Sequence, residues 1–409
     1  MLVNKTYEIS SCDDVELNIK RTSKLEYRMT YDDEKEMKAI VFIIGGYGAN
    51  ANISFLDFDR EYIAKKFDVV VVNVFYHCFH MRESNEKKYS ATIRFIEDDL
   101  QNLKKALENI GINAYDLNIY NAYNYYQILN QTISNLKSNN QIPQDYKAFF
   151  TSTFIPPNDE YQNYGIMAAI DHINALKDIV KNYPQFANLA KIYGGGSYGG
   201  YLSLLIAKIA PWYVDGVIDN SGGALPAVEY LFAKELPKKG LLKFEFSFDN
   251  ISAMIGCNTR THWTRKDSNS PYYFKDENYM IRAILNSSHL ILGANANPNI
   301  IYVSYHSSQD SGVPVEYKIE LYKCLKQLNL DATLHLIQDE KDIDGKMIKS
   351  LEHGMRMTDR SMLKKELPLM LEKLKGKKFP MKENSISYPC KNKVFKFKDE
   401  GDKFKLEIV

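Results

Sequence analysis

The sequence predicts a doubly wound α/β fold on a mainly parallel sheet, and three observations predict it. Short continuous apolar runs recur along the chain, each bounded by Gly, Asn, Asp or Pro, as suits strands buried on both faces. Amphipathic helical patterns lie between them, the alternation of strand–helix–strand units. One junction, IYGGGSYGGYLSLLIAKIAP, sets a strand, a glycine-crowded turn and a helix in immediate succession.

From the N-terminus, residues 1–36 alternate loosely, as in YEIS, VELNIK and LEYRMTY, and read as a pair of half-buried strands. Buried-strand runs come next at 39–44, 69–75, 189–193, 216–219, 300–305 and 332–337. Helices are expected over 164–180, over 201–210 (stopped by Pro211), over 315–328 and over 360–374. Residues 77–160 and 221–299 break the rhythm. The first holds a polar helical pattern near 93–110 and an Asn/Tyr-rich stretch at 117–137; the second holds FEFSF and many Asn. Structureless loops of that length are uncommon, so both are expected to be structured, lid-forming insertions in a core spanning residues 1–376. The remainder, 377–409, ends in VFKFKDEGDKFKLEIV, which predicts a small hairpin extension turning at Glu400–Asp402.

Composition narrows the function. Lys and Arg total 52 and Asp and Glu 51, for a net charge of +1, so no whole-chain basic excess exists to hold a nucleic acid. No apolar run reaches the ~18 residues that span a bilayer, and MLVNKTYEISSCDDVELNIK puts charges where a signal peptide needs its apolar stretch. The five cysteines are scattered and form no CxxC pair, against a disulfide framework or a zinc cluster. The expectation is a soluble cytoplasmic protein with reduced thiols, no membrane or nucleic-acid partner and no cofactor.

The glycine-crowded turn carries the chemistry. Gly195-Gly196-Ser197-Tyr198-Gly199 matches G-x-S-x-G, in which a serine on a tight strand-to-helix elbow needs small neighbours two positions away. The elbow lifts the hydroxyl above the sheet edge, and the helix behind it aims amides at developing negative charge. The same residues offer a rival pattern: Gly194, Gly196 and Gly199 satisfy the dinucleotide fingerprint G-x-G-x-x-G, with Asp219 placed 20 residues beyond Gly199. That fingerprint usually opens its fold, whereas here strands precede it, and it leaves the serine unexplained.

Residues further along the chain favour the elbow. Asp310 sits in the loop after the run IIYVSY, and His353, in Glu352-His353-Gly354, comes after the run ATLHLI. Serine, acid and base thus lie after successive strands at one sheet edge, in the order an α/β-hydrolase uses. His335 is the rival base, but it lies inside a strand pattern; His306, at the strand end, borders the site. Two oxyanion donors are expected: the amide of Tyr198, and that of Gly46 or Tyr47 from the glycine-rich loop in VFIIGGYGAN.

The segments GGGSYGGYLSLLIAKIAP, HSSQDSGVPVEYKIELYKCLKQLNLDATLHLI and EHGM resemble the catalytic domain of the prolyl-oligopeptidase-like α/β-hydrolases. In that family GGSYGGY carries the nucleophile, D-x-x-V-P the acid and an H-G pair the base, which the resemblance assigns to Ser197, Asp310 and His353. It covers roughly residues 37–76, 165–220 and 300–375. The chain departs from the family in having 36 residues before its first core strand, too few for a propeller, and in both insertions, so an ester rather than a peptide is the expected target. The Asn/Lys/Tyr-rich whole also resembles an uncharacterised hydrolase-like family associated with flagellin-glycosylation loci in epsilon-class bacteria, which implies an acylated acidic sugar as substrate.

Two further clusters suggest substrate contacts. His77 and His80 flank Cys78 just after a strand that ends at the active edge; no second ligand group accompanies them, so pocket lining is preferred to metal binding. Arg260, His262, Trp263, Arg265 and Lys266 combine guanidinium forks for an anion with an aromatic face for a sugar. The expected activity is that of a serine esterase or deacylase acting on a small-molecule or glycan ester. The alternatives are an acyltransferase using the same triad and a non-catalytic binding protein on a hydrolase scaffold.

Overall fold

The computed structural model describes residues 1–235 and 244–409. The chain opens with strands β1 (Leu2–Ile9) and β2 (Leu25–Asp32), then β3 (Ala39–Ile44), helix α1 (Ile53–Phe67) and β4 (Val70–Phe75). Then come β5 (Thr92–Arg94), α2 (Glu97–Glu108), α3 (Ala122–Ser138) and β6 (Ala148–Ile155). Next are α4 (Ile166–Asn182), β7 (Ala190–Gly196), α5 (Tyr198–Ile209) and β8 (Gly216–Asn220). They lead to α6 (Glu229–Phe232), β9 (Phe246–Asp249), β10 (Ala253–Thr259), α7 (Asp276–Arg282) and α8 (Ser287–Ala296). The chain closes with β11 (Ile301–Ser307), α9 (Val315–Gln327), β12 (Asp331–Ile337), α10 (Asp359–Leu374), β13 (Ser385–Cys390), β14 (Lys393–Glu400) and β15 (Lys403–Ile408). Among the described residues no helix is long and apolar enough to cross a membrane.

These elements form two compact units. The first comprises Met1–Phe79, Tyr164–Ala227 and Lys275–Val409; the second comprises His80–Asn163 and Val228–Phe274. Residues 275–299, read from sequence with the second insertion, therefore belong to the first unit, as do β13 to β15.

In the first unit eight strands form one sheet in the order β1-β2-β4-β3-β7-β8-β11-β12. Only β2 runs against the rest: it pairs antiparallel with β1 and β4, while the β4-β3-β7-β8-β11-β12 ladders are all parallel. Parallel strands need crossovers and end buried on both faces. On one face, alternate residues of β3, β7 and β11 (Val41, Ile43, Ile192, Val303, Tyr305) pack with Ile63 and Ala64 of α1 and with Met362, Leu363, Leu367 and Met370 of α10. On the other, Phe42 stacks on Tyr193 and meets His172 of α4 edge-on. The order and directions are those of the α/β-hydrolase fold, as the sequence predicted.

Three local differences have physical causes. VELNIK forms no strand; Asp14 and Ile19 instead close a short loop by reciprocal backbone bonds. Helix α1 goes unread in the sequence because its periodicity is inverted at key positions: Phe55 and Phe58 are exposed, while Arg60 is buried and bonds Thr30 Oγ1 (2.7 Å), Asp57 Oδ1 (2.9 Å) and Asn73 Oδ1 (3.1 Å). The C-terminal hairpin is present, but β13 joins it to make a three-stranded meander. Asp399 of β14 holds the meander in place, accepting from Lys177 Nζ (2.5 Å), Tyr213 Oη (3.0 Å) and Trp212 Nε1 (3.2 Å).

The second unit has its own sheet, in the order β5-β6-β10-β9, with β6 and β10 parallel and the outer pairs antiparallel. Leu103 and Leu107 of α2 and Leu129 and Ile133 of α3 pack with Phe150 of β6 and Ile255 of β10. The start of α2 is fixed by Asp99, whose carboxylate accepts the Thr151 and Thr153 hydroxyls (both 2.6 Å) and pairs with Lys234.

Candidate active site

The turn from β7 into α5 is as tight as its glycines suggest. Gly195 pairs in register with Ile44 at the end of β3, and a Cβ on either Gly195 or Gly199 would run into the Ile44 carbonyl oxygen. Strand, helix and neighbouring strand therefore meet backbone to backbone, which only glycine permits. Between them Ser197 takes φ 54°, ψ −118°, a left-handed conformation rare for a residue with a Cβ and costing of order 1–3 kcal/mol. Its N–H donates to the Asn220 carbonyl (2.7 Å), so β8 supports the strained residue from below.

His353 reaches this serine from the loop after β12. Its Nε2 lies 2.8 Å from Ser197 Oγ, and its Nδ1 lies 2.8 and 3.0 Å from the Asp310 carboxylate oxygens. Asp310 comes just after β11 and is buried, with Oδ1 also accepting the amides of Gly312 (2.9 Å) and Val313 (2.8 Å). Burial alone pushes its carboxyl up; hydrogen bonding and charge from His353, with the Val313 amide and His306, outweigh that and hold it below the ordinary carboxylate range. A carboxylate on Nδ1 fixes the tautomer in which Nδ1 carries the proton and Nε2 accepts. The imidazole is about one-third exposed (34%), so the base faces solvent on one side while its acid partner does not.

The residues expected from sequence to supply oxyanion donors lie next to Ser197 or pack on its neighbours. Tyr198 opens α5, where a first-turn amide has no partner within the helix. Gly46 approaches closely from the loop after β3: a Cβ there would sit 3.2 Å from the Gly196 carbonyl and 3.5 Å from Ser197 Cβ. The rings of Tyr47 and Tyr198 stack at 4.5 Å between centroids, tying the two loops together.

The other predicted residues are more dispersed. The His77 amide donates to Asp171 Oδ2 (2.7 Å), itself ion-paired with Arg21, and the His77 side chain is buried. His80 is buried in the second unit, stacked on Tyr89 at 4.8 Å. In that unit Arg260 bonds Asp159 (2.7 Å) and the Glu160 carbonyl (2.9 Å), and His262 meets Tyr161 edge-on at 4.4 Å. Arg265 donates to the Phe274 carbonyl (2.9 Å), and Trp263 is buried edge-on against Phe274. Of the rival histidines, His335 stacks on Tyr305 at 4.5 Å, whereas His306 lies fully buried behind Asp310 with Nε2 donating to the Val313 carbonyl (3.0 Å). Asp219, the rival fingerprint's acid, is a buried partner of Lys318 (2.9 Å) and of the Gly222 amide (3.0 Å). Sequence reading missed Asn220 and Ser221, which look like ordinary turn residues and whose place at the end of β8 is their only signal.

The family model described as "Protein of unknown function (DUF2920)" matches residues 5–408, and the chain belongs to that family. No curated protein matches it. Among solved structures it is similar to an acylaminoacyl peptidase of Pyrococcus horikoshii (14% identity, TM-score 0.43, covering 94% of this chain and 43% of that one). It is also similar to a putative dipeptidyl aminopeptidase IV from Bacteroides ovatus (11%, TM-score 0.45, 91% and 36%). Esterase 2 of Thermogutta terrifontis matches at 11% and TM-score 0.41, over 91% of this chain and 93% of that one. The chain spans less than half the length of either peptidase.

Proposed function

We propose that this member of DUF2920 is a serine-dependent acyl hydrolase, an esterase or deacylase. One observation carries the reading: a serine hydroxyl on a positive-φ elbow lies 2.8 Å from an imidazole nitrogen whose opposite nitrogen lies 2.8 Å from a buried carboxylate. In this mechanism His353 Nε2 takes the Ser197 proton as Oγ attacks an ester carbonyl, and Asp310 stabilises the imidazolium that forms. The oxyanion is received by the Tyr198 amide and by that of Gly46 or Tyr47, each donor worth about 3 kcal/mol. His353 then protonates the departing alkoxide, and water, activated by the same histidine, releases the acid from the acyl-enzyme.

As substrate we propose a carbohydrate ester. The resemblance carried by the Asn/Lys/Tyr-rich sequence supports this. The unbridged thiols Cys12, Cys257, Cys324 and Cys390 suit a reducing compartment, and we place the activity in the cytoplasm.

The test is direct. Ser197→Ala is expected to abolish p-nitrophenyl acetate turnover and labelling by a fluorophosphonate probe, with circular dichroism unchanged. Turnover that survives the substitution removes Ser197 from the mechanism.

A further inference from the structure

The nucleophile and the base arrive on different loops, and one pair of residues bonds to both. The Asn220 carbonyl accepts the Ser197 N–H (2.7 Å). The side-chain amide of the same residue donates to the Gly354 carbonyl (3.0 Å), directly after His353. The Ser221 hydroxyl accepts the Gly354 N–H (3.2 Å) and donates to Asn220 Oδ1 (3.1 Å), closing the ring of bonds. Both residues are buried, at 3% and 0% exposure, so these partners are not exchanged for water. Ser221 is itself held at φ 55°, with its N–H donating to the Tyr305 carbonyl (2.9 Å).

Gly354, Met355 and Arg356 come after the imidazole with φ of 70°, 52° and 50°, a left-handed turn closed by its own backbone bonds, Met355 N–H to the Glu352 carbonyl (2.8 Å) and Met357 N–H to the Gly354 carbonyl (2.9 Å). Two residues before the imidazole the loop is anchored by Ser307 Oγ, which donates to the Leu351 carbonyl (2.6 Å). Next to the imidazole itself, Asn220 and Ser221 grip both the carbonyl and the amide of Gly354.

We propose that Asn220 and Ser221 form a bracket at the end of β8 that sets the Ser197–His353 distance, acting as positioning residues for the reaction. The bracket touches no reacting atom. It works by making the elbow and the histidine loop share one rigid support, so that the Nε2–Oγ contact does not depend on either loop's own stiffness. This inference rests on the reading of Ser197 as nucleophile.

The experiment uses the full-length protein, p-nitrophenyl acetate for kcat and KM, and a fluorophosphonate probe for the rate of Ser197 labelling. Turnover surviving Ser197→Ala overturns the site reading and the bracket together. With that reading intact, Ser221→Gly, which tolerates the positive φ but removes the hydroxyl, is expected to lower kcat and labelling about 10²-fold with KM nearly unchanged. Asn220→Ala, which keeps the main-chain carbonyl under Ser197, is expected to do the same, and it carries the test should Ser221→Gly not fold. In a His353→Ala background neither substitution is expected to cost anything more, because their effect runs through the imidazole. Equal losses in both backgrounds, or an unchanged kcat in a folded variant, overturn the bracket while leaving the serine mechanism standing.

Discussion

Asp310 divides its two oxygens between different tasks: Oδ1 accepts the Gly312 and Val313 amides, and Oδ2 makes the shorter contact to His353. That division predicts the outcome of Asp310→Asn. The amide oxygen will be claimed by the two backbone donors, leaving the NH₂ group to face His353 Nδ1. The imidazole must then carry its proton on Nε2, where it cannot receive one from the serine. A loss of about 10⁴-fold in kcat with the fold intact is expected, measured by steady-state kinetics. A second carboxyl is perturbed in the opposite sense. Burial, then the nearby Asp59, pushes Asp359 up from 3.8 to about 7 at the start of α10, despite a hydrogen bond from the Gly196 amide. Between those two values the folded chain keeps a proton that the unfolded chain has lost, so this group makes stability fall as pH rises from about 4 to about 7. Asp359→Asn removes that dependence; its melting temperature relative to the wild type is expected to climb over this interval and level off above it. Legibility was uneven at this scale. Ser197, Asp310 and His353 stood out because an elbow motif and strand order constrain them. Asn220 and Ser221 did not, since a polar pair after a strand carries no motif and its meaning lies in which loops come to rest on it.

Elements were legible where burial tracks apolar pattern. The β3 run is buried along its whole length and was read at its true bounds, and α9 and α10 were read to within a residue or so. The reading failed where polar groups are buried on purpose. Helix α1 hides Arg60 and exposes two phenylalanines. Strand β6 (AFFTSTFI) went unread within the first insertion, and its Thr151 and Thr153 bond the buried Asp99 carboxylate. The packing of α5 on β3 makes its own prediction. Gly199→Ala drives a methyl group into the Ile44 carbonyl, which is backbone and cannot swing aside. The helix must shift, and overpacking of this kind typically costs about 1–3 kcal/mol. A lowered denaturation midpoint together with slower fluorophosphonate labelling is the expected result, because the same displacement moves the Tyr198 amide.

Across the whole chain, the sheet was foreseeable because parallel strands repeat one sequence pattern, and the second unit falls largely within the two stretches, 77–160 and 221–299, that interrupt it. The first unit is assembled from three stretches of chain and the second from two, so neither is contiguous in sequence. Ser197, Asp310, His353, Tyr198, Gly46 and Tyr47 all belong to the first. The dihedral angles of Ser197 have a consequence for the molecule's thermal endurance. Glycine at that position would relax the turn, and Ser197→Gly is expected to stabilise the fold by roughly 1 kcal/mol, read as a slightly higher melting temperature, while abolishing the proposed activity. Selection for heat tolerance alone would thus erase the proposed nucleophile early, and any thermostabilised descendant should be screened for turnover at every round.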